Sequence, residues 1–130
     1  MYLCIMKTFK IQAGTYDFTI NVCITSDRKK ALKFIRFKFE NKICFSENDF
    51  DAKGKMFYRE GWSPVIWLPK IPKTPREHGT VNHEIFHGVY YILSWAGIKL
   101  SESSEEAFCH LIGHMTTQFY EKIKKNGHTR

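Results

Sequence analysis

From Tyr16 to Thr25 apolar and polar residues alternate without a break. Tyr16, Phe18, Ile20, Val22 and Ile24 share one face, and Asp17, Thr19, Asn21, Cys23 and Thr25 the other. A period of two is that of a strand buried on one side. Residues 8–13 form its expected partner, turned back through Gly14 as a hairpin. The period then changes. Ser26 and Asp27 are good helix N-caps, and the residues after them bring Ala31, Leu32, Phe34, Ile35 and Phe39 onto helical spacing among lysines and arginines. That pattern predicts an amphipathic basic helix. The polar, turn-rich stretch 41–55 predicts a loop or short helical turn. Residues 56–59 and 65–68 are short apolar runs on either side of Glu60-Gly61-Trp62-Ser63-Pro64, as expected of two more strands.

Pro69, Pro72 and Pro75 predict an ordered loop over 71–80, because proline lacks a donor and fixes φ. Residues 81–96 then carry Ile85, Val89, Ile92, Leu93 and Ala96 at helical spacing, with Gly97 placed to end the helix. A second helix is expected from Ser103 to about residue 125, with Leu111, Met115, Phe119 and Ile123 as its core stripe and Asn126-Gly127 as its stop. The short connection between the two makes them a helical hairpin. The fold class expected is α+β: a small, mostly antiparallel sheet and a basic helix over 1–70, the proline loop 71–80, and a helix pair over 81–126. All of it fits one domain, 1–130.

Composition supports this. With 130 residues, 43% hydrophobic and including eleven Phe, six Tyr and three Trp, the chain has enough apolar area for a core, which excludes disorder over most of its length. No run approaches the roughly 20 apolar residues of a membrane span. The opening Met1-Tyr2-Leu3-Cys4-Ile5-Met6 lacks the basic leader and cleavage site of a signal peptide, so a cytoplasmic location is expected. Cys4, Cys23, Cys44 and Cys109 are scattered with no CxxC pair, which argues against a zinc ribbon or a disulfide framework. Twenty Lys and Arg against thirteen Asp and Glu give a formal charge of +7 and favour anionic partners. Much of the excess lies in Arg28, Lys29, Lys30, Lys33, Arg36, Lys38 and Lys42, with a second group at Lys122, Lys124, Lys125 and Arg130.

Candidate chemistry sits on the first of the paired helices. His83-Glu84-Ile85-Phe86-His87 is an HExxH motif, whose i, i+4 spacing sets two imidazoles on one face, one turn apart, able to grip a single ion. Glu84 is placed beside them as a general base. A catalytic zinc takes three protein ligands and leaves a fourth position open. The candidates for the third ligand are Glu102, Glu105, Glu106, His110 and His114. Glu106 is the choice made here, although a strictly antiparallel hairpin would set His110 or His114 level with the histidine pair. Other roles compete: Ser103 and Glu106 also fit a capping box, and Glu84 also suits the helix dipole. His110 and His114 also suit a structural role.

Four segments together resemble the small HExxH proteins of bacteriophages and prophages, which look like minimal gluzincin metallopeptidases. These are Ala31-Leu32-Lys33-Phe34-Ile35, Val65-Ile66-Trp67-Leu68-Pro69, Val81-Asn82-His83-Glu84-Ile85-Phe86-His87 and Glu105-Glu106-Ala107-Phe108-Cys109-His110-Leu111-Ile112-Gly113. The last is similar to that family's acid-Ala-x-x-x-Leu-x-Gly signature. The resemblance implies a zincin-like helix pair in which His83, His87 and Glu106 hold Zn²⁺, with Glu84 catalytic and Glu105 the neighbour most easily confused with Glu106. His110 departs from the aromatic residue expected there, leaving it open as a second-shell or oxyanion donor.

The function expected is therefore a zinc metallopeptidase acting on a peptide or protein substrate, which would lie along residues 65–68 by strand addition. The alternative is a phage-encoded basic interaction protein that binds nucleic acid or a host protein, with a structural or vestigial zinc site. No membrane partner is expected.

Overall fold

The computed structural model describes residues 5–126. The apolar opening 1–4 with Cys4, the stop at Gly127 and the basic Arg130 lie outside the described residues. Four strands, β1 (Lys7–Gln12), β2 (Thr19–Ile24), β3 (Lys55–Phe57) and β4 (Val65–Leu68), and three helices, α1 (Arg28–Lys38), α2 (Pro75–Trp95) and α3 (Glu105–Asn126), make an α+β fold. The sheet runs β1-β2-β4-β3.

The β1–β2 hairpin is present as the alternation predicts, with Phe9 opposite Val22 and Ile11 opposite Ile20. The expectation of a mostly antiparallel sheet gives way to a mixed one. β1–β2 and β4–β3 are antiparallel, but the two inner strands are parallel, with Val22 beside Ile66 and Ile24 beside Leu68. Parallel neighbours need a long crossover, and the whole of α1 and the following loop supply it. β2 is also shorter than the alternating stretch: Gly14–Tyr16 form a 3-10 turn and Asp17 is left-handed at φ 59°. It is buried on both faces rather than one, because a layer of helix covers each side.

Those two layers explain the pattern of β2. Ile20, Val22 and Ile24 join Ile66, Leu68, Ile85, Val89, Ile92, Leu111, Met115 and Phe119 in one core, under α2 and α3. Cys23 faces the other way, with Ala31, Leu32, Ile35, Phe39, Phe50, Phe57, Val65 and Trp67, under α1. The outward-facing half of the alternation is thus polar in sequence but still buried. Thr25 is tied in through its carbonyl, which accepts from Trp67 Nε1 at 2.9 Å.

α1 starts where its cap predicts, with the Asp27 side chain accepting from the Lys30 backbone N–H. The 41–55 stretch holds a short 3-10 turn, Glu47–Phe50, capped reciprocally by Ser46 and Asp49. α2 begins earlier than expected. Residues 75–80 are helix rather than loop, because Pro75 occupies the first helical turn, where a missing N–H costs nothing. Thr74 and Glu77 close the capping box. Gly88 lets α2 lie close on the sheet, since a Cβ there would stand 2.6 Å from Ile20 Cδ1. Gly97, at φ 82°, turns the chain out of the helix as predicted.

α3 starts at Glu105, two residues after the expected Ser103, behind a 3-10 turn at Glu102–Ser104. The capping pair there is Ser101 with Ser104 rather than Ser103 with Glu106. Its core stripe is as expected, with Leu111, Met115 and Phe119 buried. α3 also closes one edge of the sheet. Gln118 accepts from the Gln12 N–H and donates to the Gln12 carbonyl, each at 2.8 Å, while Lys122 Nζ donates to the Lys10 carbonyl at 2.7 Å. With both Gln12 groups and the Lys10 carbonyl taken, this edge strand offers less of its outward backbone to further pairing. β3 is the other edge, and β4, the strand expected to receive a peptide, lies inside the sheet.

Candidate functional site

The apolar stripe of α2 fixes where the HExxH residues point. Val81, Ile85, Val89 and Ile92 are buried against the sheet, so at 100° per residue His83 and His87 fall on the far side of the helix. Both are exposed. Their Nε2 atoms face each other at 3.1 Å. Two Zn–N bonds of about 2.05 Å at a tetrahedral angle would put two nitrogens roughly 3.3 Å apart. The pair therefore stands at nearly the separation that a shared ion requires.

Glu84 is placed differently, with 6% of its surface exposed. It lies on the flank of α2 that meets β3, beside Gly54. Burial pushes its carboxyl above the usual range, and His83, His87, the Met56 backbone N–H and Lys55 pull the other way. An elevated carboxyl next to a water-accessible histidine pair is the property expected of a proton acceptor and donor. In front of it lies a shallow depression of about 400 Å³ lined by Lys53, Gly54, Arg76, Gly79, Thr80, His83 and Glu84.

Contacts between α2 and α3 fix their register. Phe86 and Tyr90 both face Phe108, with ring centroids 6.4 and 6.2 Å apart, and His78 Nδ1 lies 2.6 Å from Tyr120 Oη. The helices are thus antiparallel. This register sets Glu106 level with Tyr90, Cys109 with His87 and Gly113 with His83. Glu106 and His110 also lie about 160° around α3 from Phe108, on the exposed side with His114. Glu102, in the 3-10 turn before α3, and Glu105, its first residue, are also exposed. The structure brings His83, His87 and Glu84 together and does not bring Glu106 or His110 to them. Among the described residues no group of three His, Cys, Asp or Glu side chains is close enough to hold a metal ion. The histidine pair fits two ligands of such an ion, and the third is not in place.

Two residues that the motif did not indicate shape the site. Gly54 lets the chain entering β3 run against α2 beside Glu84. Tyr91 donates to the carbonyls of Arg59 and Trp62, at 2.7 and 2.9 Å, and so ties the β3–β4 turn to α2. Neither had a sequence signal beyond residue type. Among the described residues no helix is long and apolar enough to cross a membrane. Comparison with known protein families, curated proteins and solved structures finds no match, so the reading of the site rests on its own residues.

Proposed function

We propose that the chain is a zinc-dependent peptidase, with His83 and His87 as two zinc ligands, Glu106 as the third and Glu84 as the general base. The observation that carries it is the 3.1 Å approach of the two Nε2 atoms on the open face of α2, with a buried carboxyl on the same turn. Zinc held there would supply Lewis acidity, polarising a carbonyl and lowering the pKa of a water to about 7.

The chain's own residues do the rest. Glu84 takes a proton from the attacking water and returns it to the leaving amine, a transfer suited to a carboxyl held above its ordinary range. The peptide lies in the depression beside β3 rather than along β4, because β4 is inside the sheet, the β1 edge is closed by Gln118 and Lys122, and the Met56 N–H of β3 is already turned to Glu84. For the third ligand, the Glu106 carboxylate is exposed on the first turn of α3. Because that carboxylate faces away from α2, zinc loading would have to unwind the turn and swing it toward His83 and His87, and the energy of metal binding can drive such a rearrangement.

The test compares the native chain with Glu84→Gln in hydrolysis of a denatured protein substrate, with bound zinc measured on the same samples. Loss of hydrolysis with zinc retained is the expected result. Full activity in Glu84→Gln would overturn the mechanism.

A further inference from the structure

α1 lies on the face of the sheet opposite α2 and α3, and its outer surface has a composition that the peptidase reading does not use. Residues 28–38 contain six Lys or Arg and no Asp or Glu. Ala31, Leu32 and Ile35 are buried, which turns Lys33 and Phe37 outward as neighbours one turn apart. Phe37 is 70% exposed in the last turn of the helix. Lys38 Nζ lies 5.4 Å from the Phe34 ring centroid and 6.0 Å from that of Phe37. Arg28 pairs with Asp51, and Arg36 donates to the Phe45 carbonyl at 2.8 Å, holding the following loop against the helix. Beside the helix a depression of about 370 Å³ is walled by Lys29, Lys33 and Arg36, with Glu47 as its one acidic lining residue.

We infer that the outer face of α1 binds single-stranded nucleic acid. The ligand must be a polyanion, because the surface is cationic, with Lys29, Lys33 and Lys38 in no ion pair among the described residues, and it must carry flat rings to use Phe37. A single strand offers both: phosphates for Lys29, Lys33 and Lys38, and an unpaired base to stack on Phe37. In a duplex the bases are already stacked and the ring has no platform to meet. A lipid surface fits less well, because burying Phe37 in hydrocarbon would drag the Lys38 ammonium with it. α1 is about 16 Å long, long enough to run beside a few phosphates of an extended strand. Binding there leaves His83, Glu84 and His87 free on the opposite side.

The test is fluorescence anisotropy of the full chain with a labelled oligothymidylate of about twenty nucleotides, its matched duplex, and anionic phosphatidylserine vesicles in parallel. With about three phosphate contacts, log affinity against log salt should fall with a slope near −2. Phe37→Ala should weaken single-strand binding about tenfold. Lys33→Glu should weaken it and flatten the slope by about 0.7. Lys125→Glu, on α3, and His83→Ala should leave it unchanged. The inference is overturned by no binding at about 50 mM salt, by duplex preferred to single strand, by binding indifferent to Phe37→Ala and Lys33→Glu, or by capture on vesicles without binding of the oligonucleotide.

Discussion

Gly54 and Glu84 are in contact across two elements. A Cβ built on Gly54 would stand 3.5 Å from Glu84 Cγ, and only 2.8 Å from Thr80 Cγ2 and 3.1 Å from Leu68 Cδ2. The chain entering the edge strand therefore passes α2 at backbone distance, and that closeness keeps the carboxyl desolvated.

Gly54→Ala should overpack this crossing, costing about 1–3 kcal/mol in chemical denaturation. The added methyl has to displace the Thr80 side chain and crowd Leu68, both beside Glu84, so hydrolysis should fall more than zinc content does. Unchanged stability together with unchanged activity would show that the close approach has no consequence.

The start of α2 should depend on acid. Glu77 accepts from Lys70 and from the backbone N–H groups of Lys73 and Thr74, and the Lys70 ammonium first, then those two donors, hold its carboxyl down at about 2. A depressed carboxyl stabilises the fold above its unfolded pKa of 4.5, and that contribution is lost as pH falls toward about 2. Glu77→Gln should lower Tm at neutral pH, with the two melting curves converging near pH 2. A constant difference across that range would contradict the assignment.

Thiol reactivity should separate the described cysteines. Cys44 and Cys109 are exposed, whereas Cys23 is buried in the sheet, and desolvation pushes its thiol up to about 12. Since the thiolate is the reactive form, peptide mapping after brief alkylation at neutral pH should find Cys44 and Cys109 modified and Cys23 protected until denaturant is added. Early labelling of Cys23 would mean that α1 does not cover the sheet as described.

The Gln118 clamp on β1 should matter for solubility as well as stability. Gln118→Ala leaves the outward N–H and carbonyl of Gln12 without their side-chain partner, at a cost of about 1–2 kcal/mol. It also reopens a sheet edge, so light scattering should show increased association at high concentration. A variant that is monodisperse and as stable as the native chain would show the clamp to be incidental.

How much of this was legible in the sequence differs by element. Local signals sufficed for the β1–β2 hairpin, the Asp27 cap of α1, the Gly97 stop and the α3 stripe, because each depends on residues near one another in the chain. The parallel pairing of β2 with β4 was not legible, since nothing in either strand encodes which neighbour it takes. Burial of Asn21, Cys23 and Thr25 depends on α1 folding back over them, a tertiary event that alternation alone cannot report. Pro75 reads equally as loop breaker or as first helical residue, and the Thr74–Glu77 pair decides between them. At the candidate site, helical spacing gave the meeting of His83 and His87. The position of Glu106 depends on the rotation and register of α3, set by Phe108, Met115 and Phe119 against the core and by the Phe86–Phe108 and His78–Tyr120 contacts.

The central claim is that His83 and His87 share a zinc ion. It is tested most directly by the zinc content of the purified chain, measured by elemental analysis for the native protein and for His83→Ala, His87→Ala, Glu84→Gln and Glu106→Ala. The account predicts zinc equimolar with the chain, lost in both histidine variants, retained in Glu84→Gln and weakened in Glu106→Ala. A native chain that takes up no zinc after incubation with the metal, or that keeps it without His83 and His87, would contradict the account.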